Sequence, residues 1–266
     1  MLPLALNGHP LNNAPLGWTV LRATERHAAH KITRTELTTP RRDGSTPLPG
    51  VEATPAQSIT VGTEYRSLAT LRTLLTQQTL NLTDSNRPGS ADVELASIGF
   101  NSRELGDTPY TEVTFSLAIP GLFFRGPVVT TQAALTNGAV PLTAFPGLTG
   151  RVDDAVVRIT GPASNPVISD AGGSGTWISY RGDVATGQTL RIDTATGRAW
   201  LAGDTWTGGT EVDSTLISMG PSRYFLRITP TLSSTLASTR GAVVVETTAR
   251  GSGAAAEIRG RNAFLA

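Results

Sequence analysis

Short runs of alternating apolar and polar residues, separated by glycine, proline and asparagine, recur along most of this chain. The stretch GQTLRIDTATGRAWLAGD (187–204) shows the pattern well, because Leu190 and Ile192 point to one face of an extended strand and Arg191 to the other. Gly197 can adopt the positive φ of a tight turn before the alternation resumes. This period of two predicts half-buried β-strands joined as a hairpin.

The composition agrees with a sheet protein. Only 16% of the 266 residues are charged and 39% are hydrophobic, while glycine (28) and proline (17) are frequent enough for many turns. The clearest strand is YTEVTFSLAI (110–119), in which Val113, Phe115 and Leu117 alternate with small or polar residues. The sequence therefore predicts a mainly β fold. RYFLRITP (223–230) and GAVVVETT (241–248) are also expected to form strands.

One segment has helical spacing. In TEYRSLATLRTLLTQQ, Tyr65, Leu68 and Leu71 begin an apolar stripe at intervals of three and four, and Thr63 can cap the first turn. We expect one α-helix at about 63–78, with this stripe packed on a sheet.

The length allows two domains, since single cores rarely grow beyond about 250 residues. The helix and the mixed strands fall in the first half, whereas the second half contains only strands separated by turns. We predict a domain over 1–126 that carries the helix and a purely β domain over 127–266.

Several function classes are disfavoured. The chain has no cysteine, so it has neither disulfides nor a thiolate metal site, and its net charge of +1 argues against sequence-specific nucleic-acid binding. His9, His27 and His30 have no acidic cluster beside them, so neither a metal centre nor a cofactor is expected. No apolar run approaches the ~18 residues of a membrane span, and no signal peptide is recognisable at the start, so membrane insertion is not expected.

Some motifs connect the chain to a known family. They are Arg42-Asp43-Gly44 in a loop, VVRITGPASNPVISD (156–170), LRIDTATGRAWLAGD (190–204), MGPSRYFLRI (219–228) and IRGRNAFL (258–265). In these motifs and in the order of its predicted elements, the sequence resembles the distal tail proteins of long-tailed siphophages.

The resemblance implies a structural protein of the virion, located at the tail tip and without catalysis. It implies an N-terminal β-sandwich or split-barrel domain with one α-helix, which joins copies of the chain into a hexameric ring below the tail tube protein. It also implies a C-terminal galectin-like or carbohydrate-module-like β-sandwich, which holds tail-associated hub, fibre or receptor-binding proteins.

Two sets of residues are candidate contacts. Trp206, Trp177, Trp200 and Tyr180 could contact a host cell-wall glycan or a protein partner, with Trp206 the best surface candidate because it lies in a loop. The loop residues Arg41, Arg42 and Asp43 could contact a partner.

Two alternative functions are compatible with the same residues. The chain could be a stand-alone carbohydrate-binding module or adhesin, which would be monomeric and bind glycan directly. A cell-wall hydrolase would need two carboxylates across a cleft, whereas Asp153 with Asp154 and Glu211 with Asp213 are adjacent or nearly so and are interpreted as surface charge. The tripeptide at 181–183, RGD, is interpreted as a turn.

Overall fold

The computed structural model describes residues 4–23, 32–33, 36–38, 45–47, 51–105, 108–202, 206–220, 226–232 and 238–265. The chain divides into two compact units, Met1–Phe124 with Leu265–Ala266, and Arg125–Phe264. Antiparallel strands dominate both units. The prediction of a mainly β fold is therefore confirmed.

The first unit holds the α-helix and the strands that precede and follow it. Its elements are β1 (Leu4–Leu6), β2 (His9–Pro10), β3 (Thr19–Ala23), β4 (Ile32–Thr33), β5 (Glu36–Thr38), β6 (Ser45–Pro47), β7 (Val51–Glu52), β8 (Ala56–Glu64), α1 (Tyr65–Leu75), β9 (Leu80–Asp84), β10 (Ser90–Leu105) and β11 (Thr108–Ala118). A short 3₁₀ turn covers Ala14–Leu16.

Strands β3, β8, β11 and β10 are neighbours in that order, and β10 continues through β9 and β1 to β2. On one face of this sheet, Ile59, Val61, Val113 and Phe115 are fully buried. Helix α1 packs against β8 and β11. The burial that alternation predicted for YTEVTFSLAI is thus present, with Leu117 enclosed as well.

The helix is shorter than the sequence predicted. It spans Tyr65–Leu75, not 63–78, because Thr63 belongs to β8 and its hydroxyl donates to the carbonyl of Glu64 instead of capping the helix. The predicted stripe is also partly wrong, since Tyr65 is 71% exposed while Leu71 is fully buried. The loop predicted to contain Arg42-Asp43-Gly44 is followed directly by a strand, as Ser45–Pro47 pairs with Glu36–Thr38.

The second unit consists of strands and short turns in the residues described. Its elements are β12 (Phe123–Ala134), β13 (Val140–Pro146), β14 (Val156–Thr160), β15 (Ala163–Ser164), β16 (Val167–Asp170), β17 (Trp177–Tyr180), β18 (Asp183–Val184), β19 (Thr189–Asp193), β20 (Ala199–Ala202), β21 (Thr210–Glu211), β22 (Ile217–Gly220), β23 (Pro230–Leu232), β24 (Thr239–Glu246), β25 (Ala249–Arg250) and β26 (Ala255–Leu265). A 3₁₀ turn lies at Ser214–Leu216.

These strands form two main sheets. One has the order β12–β26–β14–β19–β20–β21, and the other has the order β13–β24–β16–β17–β22 with β23 beside β24. Phe145 of the second sheet lies so close to Gly260 of the first that a Cβ on Gly260 would be 3.0 Å from its ring. The sheets therefore pack face to face around a core that includes Val157, Ile192 and Val243, all fully buried.

The hairpin predicted at 187–204 is present as β19 and β20, with Leu190 opposite Leu201. Gly197 has the expected positive φ of 67°. The strand predicted at 223–230 is wrong for residues 226–229, where Ile228 makes an isolated bridge with Val152, and a strand, β23, begins at Pro230. In the part of the chain that the structure describes, no helix is both long and apolar enough to cross a membrane.

Candidate partner-binding face

The sequence-predicted contact residues do not form one site. Trp177 and Tyr180 lie on β17. Trp200 lies on β20 of the other sheet, and Trp206 lies in the segment between β20 and β21. Arg41, Arg42 and Asp43 lie outside the described residues, as do His27 and His30.

The two aromatic residues of β17 pack against glycines. Tyr180 is buried, and a Cβ on Gly182 would come within 2.7 Å of its ring. The indole of half-buried Trp177 covers Gly220 of the neighbouring strand, where a Cβ would be 2.5 Å from the ring. Both rings therefore serve the packing of this sheet.

Trp200 and Trp206 have a different environment, because arginines lie over both rings. The guanidinium carbons of Arg191 and Arg198 are 4.4 Å and 5.5 Å from the centre of the Trp200 ring. The corresponding distances from Arg158 and Arg259 to the Trp206 ring are 4.6 Å and 5.5 Å. These distances are typical of cation–π contacts.

The strand register explains why these side chains meet. Arg158 lies opposite Glu257 of β26 on one side and opposite Arg191 of β19 on the other. Arg191 in turn lies opposite Trp200, and Trp200 lies opposite Glu211 of β21. Directly opposite residues share a face, so these five side chains form a row across five strands.

This row occupies the face of the sheet that points away from the core. Leu190 and Ile192, which alternate with Arg191, are fully buried on the other face. We call the outward surface the arginine–tryptophan face, and define it as Arg158, Arg191, Arg198, Trp200, Trp206, Glu211, Glu257 and Arg259.

Two ion pairs neutralise part of this face. A nitrogen of Arg158 is 3.2 Å from Glu257, and the Arg198 Nε donates to Glu211 at 2.6 Å. The hydrogen bond from Arg198 lowers the pKa of Glu211, and the same bond raises the pKa of Arg198. The pair links the short edge strand β21 to the hairpin.

Sequence reasoning found the two tryptophans and missed the arginines. The signal was present, since VVRIT, LRID and EIRGR each place an arginine between apolar residues. The alternation shows that these arginines face away from the core, but only the register shows that they lie side by side.

The acidic pairs considered for hydrolysis are occupied by other contacts. Asp153 pairs with Arg151 at 2.9 Å and Asp154 with Arg125 at 3.0 Å. Asp213 accepts a hydrogen bond from the Thr215 amide at the start of a 3₁₀ turn, which lowers its pKa. Among the residues described, no group of three or more histidine, aspartate or glutamate side chains is arranged to hold a metal ion.

The RGD tripeptide is part of a packed turn. The Gly182 amide donates to the Asn165 side chain at 3.0 Å, and the Arg181 amide donates to the carbonyl of Leu216 at 2.7 Å.

A separate apolar pocket lies in the first unit, with a volume of about 410 Å³. Its lining includes Ala69, Thr73 and Leu74 from α1 and His9, Leu16 and Trp18 from the N-terminal segment. The Trp18 indole nitrogen is buried and has no hydrogen-bond partner among the described atoms.

Neither a protein-family model nor a curated protein matches the sequence. Among solved structures, one similarity extends over the whole chain and shows which fold the chain has. The particular structure is the Dit (gp 19.1) protein of phage SPP1, described as a paradigm of the hub adsorption apparatus in phages that infect Gram-positive bacteria. It is 13% identical, with a TM-score of 0.62 and full coverage of both chains. At this identity the likeness establishes a shared fold.

Two further similar structures come from the activated baseplate of phage p2. The structure with strontium has a TM-score of 0.39, and the similarity covers 96% of this chain and 94% of that one. The structure with calcium has a TM-score of 0.38, and the similarity covers 95% of this chain and 92% of that one. Both are 13% identical to this chain. At these TM-scores, neither structure bears on the function of the chain.

Proposed function

We propose that this protein is a structural component of a phage tail tip, which forms a ring at the distal end of the tail tube and acts as a hub for baseplate or receptor-binding proteins. The observation that carries the proposal is the fold, which is shared with the SPP1 hub protein along the entire chain. The sequence motifs that resemble siphophage distal tail proteins support it independently, since they are distributed from the first unit to the end of the second.

Two features of the first unit support a contact between copies of the chain. Strand β3 pairs with β8 along one edge, and its other edge has no partner strand among the described residues. Leu21 on this edge strand is 46% exposed. Free strand edges and exposed apolar side chains are the usual material of contacts between copies. We assign the ring contact to this unit and the attachment of other proteins to the second.

The mass of the purified protein tests the ring. Light scattering should give a mass near six times 27.8 kDa, and negative-stain images should show an annulus. Leu21→Glu should reduce the mass, because it places a charge in the contact. Leu232→Glu is a matched control, since Leu232 is an exposed leucine at 60% on a strand of the second unit, and its mass should equal that of the unsubstituted protein.

A mass of one chain at micromolar concentration would contradict the ring. An equal loss of mass in both variants would contradict the assignment of the contact to the first unit.

Glycan binding by the predicted aromatic residues stays a prediction. Neutral sugars stack on free aromatic faces, whereas Trp200 and Trp206 are covered by guanidinium groups and Tyr180 is buried. Binding of Trp206→Ala to host cell walls, compared with that of the unsubstituted protein, tests the idea. Equal binding would exclude Trp206 as a sugar platform.

A further inference from the structure

The arginine–tryptophan face contains a like-charge pair that a stable sheet would normally avoid. Arg158 and Arg191 lie directly opposite each other on adjacent strands and are only 6% and 7% exposed. Like charges at such positions destabilise a sheet, and burial increases the effect because the surroundings screen charge less than water does.

Only one member of this pair has a carboxylate partner among the residues described. Arg158 is neutralised by Glu257, whereas the Arg191 guanidinium contacts the ring of Trp200. Removing a charge from water without a counter-charge is costly, so a buried unpaired arginine indicates a missing anion.

The guanidinium carbon of Arg191 lies 4.4 Å from the centre of the Trp200 ring, and this contact restricts the side chain. A guanidinium that stacks on an indole keeps its N–H donors in the plane parallel to the ring, where they can donate two parallel hydrogen bonds to a carboxylate. Arg259 repeats the arrangement over Trp206, at 5.5 Å, and its side chain is exposed. Two arginines that contact tryptophan rings are therefore present on one face.

The charge of the face indicates what binds there. It contains four arginines and two glutamates, and Asp193, two residues from Arg191 on the same side of β19, adds a third carboxylate, so four positive and three negative charges leave one positive charge. The binding partner should therefore be acidic. Tryptophan and arginine are also the residues most enriched at the energetic centres of protein interfaces, and a protein carboxylate matches the arginine fork.

We propose that the arginine–tryptophan face is the docking site for an acidic segment of another protein, one of whose carboxylates pairs with Arg191. This inference rests on the proposed hub function, because a hub must hold a second protein. It adds the location of the attachment and the chemistry of the partner.

The test measures binding of a fluorescein-labelled decaglutamate peptide to the full-length protein by fluorescence anisotropy at low salt. Arg191→Gln should weaken binding at least tenfold. Arg191→Lys should weaken it less, because it keeps the charge and loses the fork. Arg240→Gln removes an exposed arginine from β24 in the same unit and should change affinity less than twofold.

Three results would overturn the proposal. One is equal binding of the peptide by Arg191→Gln and Arg240→Gln. Another is Arg191-dependent binding of dextran sulfate that is tighter than binding of the peptide, since that would assign the face to an anionic polysaccharide. The last is a large drop in the thermal midpoint of Arg191→Gln together with a similar drop for Asp193→Asn, on the same side of β19, because these would show that the chain neutralises Arg191 itself.

The result of the docking test can be distinguished from the result of the ring test. Arg191→Gln should keep the mass of the unsubstituted protein in light scattering. A protein that is monomeric yet binds the peptide through Arg191 would contradict the ring alone, and a ring that binds no peptide would contradict only the docking site.

Discussion

Asp170, the last residue of β16, joins two separate segments of the second unit through one carboxylate. Its oxygens accept hydrogen bonds from the amides of Gly172 and Ser174 in the following turn, at 3.0 Å and 2.9 Å. They also accept from the amide and hydroxyl of Thr229, at 3.1 Å and 2.6 Å. A single side chain thus fixes a turn and a distant segment that contains little regular structure.

Substitution of Asp170 should therefore be costly. Asp170→Ala leaves four donors without their acceptor and should lower the free energy of unfolding by about 2–4 kcal/mol, as measured by urea denaturation. Asp183→Ala, which removes an exposed aspartate from β18, should have an effect below about 0.5 kcal/mol. Similar losses for the two variants would contradict this role of Asp170.

The ion pair of Arg198 and Glu211 makes a pH-dependent contribution. Because the pKa of Glu211 is lower in the folded protein, the pair stabilises the fold above the unfolded pKa of about 4.3 and loses that effect as the pH falls through the folded pKa. Hydrogen exchange at the Val212 amide, which donates to Ala199, should lose protection in this acid range after correction for intrinsic rates. In Glu211→Gln, the Val212 amide should not lose protection in this pH range. If the loss persists in that variant, another titrating group causes it.

At the scale of elements, one face of α1 accounts for its position. Leu71 is fully buried, and Tyr65 on the same helix is 71% exposed. Leu71→Ala should lower the free energy of unfolding by about 2–5 kcal/mol, because it removes buried methyl groups and leaves a cavity. Tyr65→Ala should cost less than about 1 kcal/mol by the same denaturation measurement. The reverse order would mean that another face of the helix is buried.

The alternation of residues predicted most strands correctly, because it depends only on the local sequence. Val113, Phe115 and Leu117 are buried as predicted, and so are Leu190 and Ile192. The same alternation placed Arg191 on the opposite face of its strand, but it could not show that this side chain is only 7% exposed.

What the sequence could not supply was the register between strands that are distant along the chain. Arg158, Arg191 and Glu257 become neighbours only when β14, β19 and β26 align. The predicted start of the helix was wrong for a related reason. Thr63 is a suitable helix cap by local sequence rules, but in the structure it pairs with β11 as part of β8. Of the candidate face, therefore, only the two tryptophans could be predicted from the sequence.

At the scale of the whole molecule, the charge balance bears on the proposed ring. With 22 basic and 21 acidic residues, copies of the chain repel each other little, and a contact built on strand edges and apolar side chains should not depend on ionic attraction. The ring mass should therefore be unchanged between about 50 mM and 500 mM NaCl, a range over which surface charges become strongly screened. Dissociation at the higher concentration, seen by light scattering, would indicate a contact made by ion pairs.

Strand β26 lies in the interior of its sheet, between β12 and β14. Its partner β14 precedes it by roughly one hundred residues, a separation that slows folding because a long loop must close first. During translation, the ribosome must therefore finish almost the whole second unit before the gap in this sheet can be filled. Until then, β12 and β14 present vacant edges to other nascent chains on the same polysome, so weaker initiation, which leaves fewer nascent chains on each message, should favour soluble product over inclusion bodies.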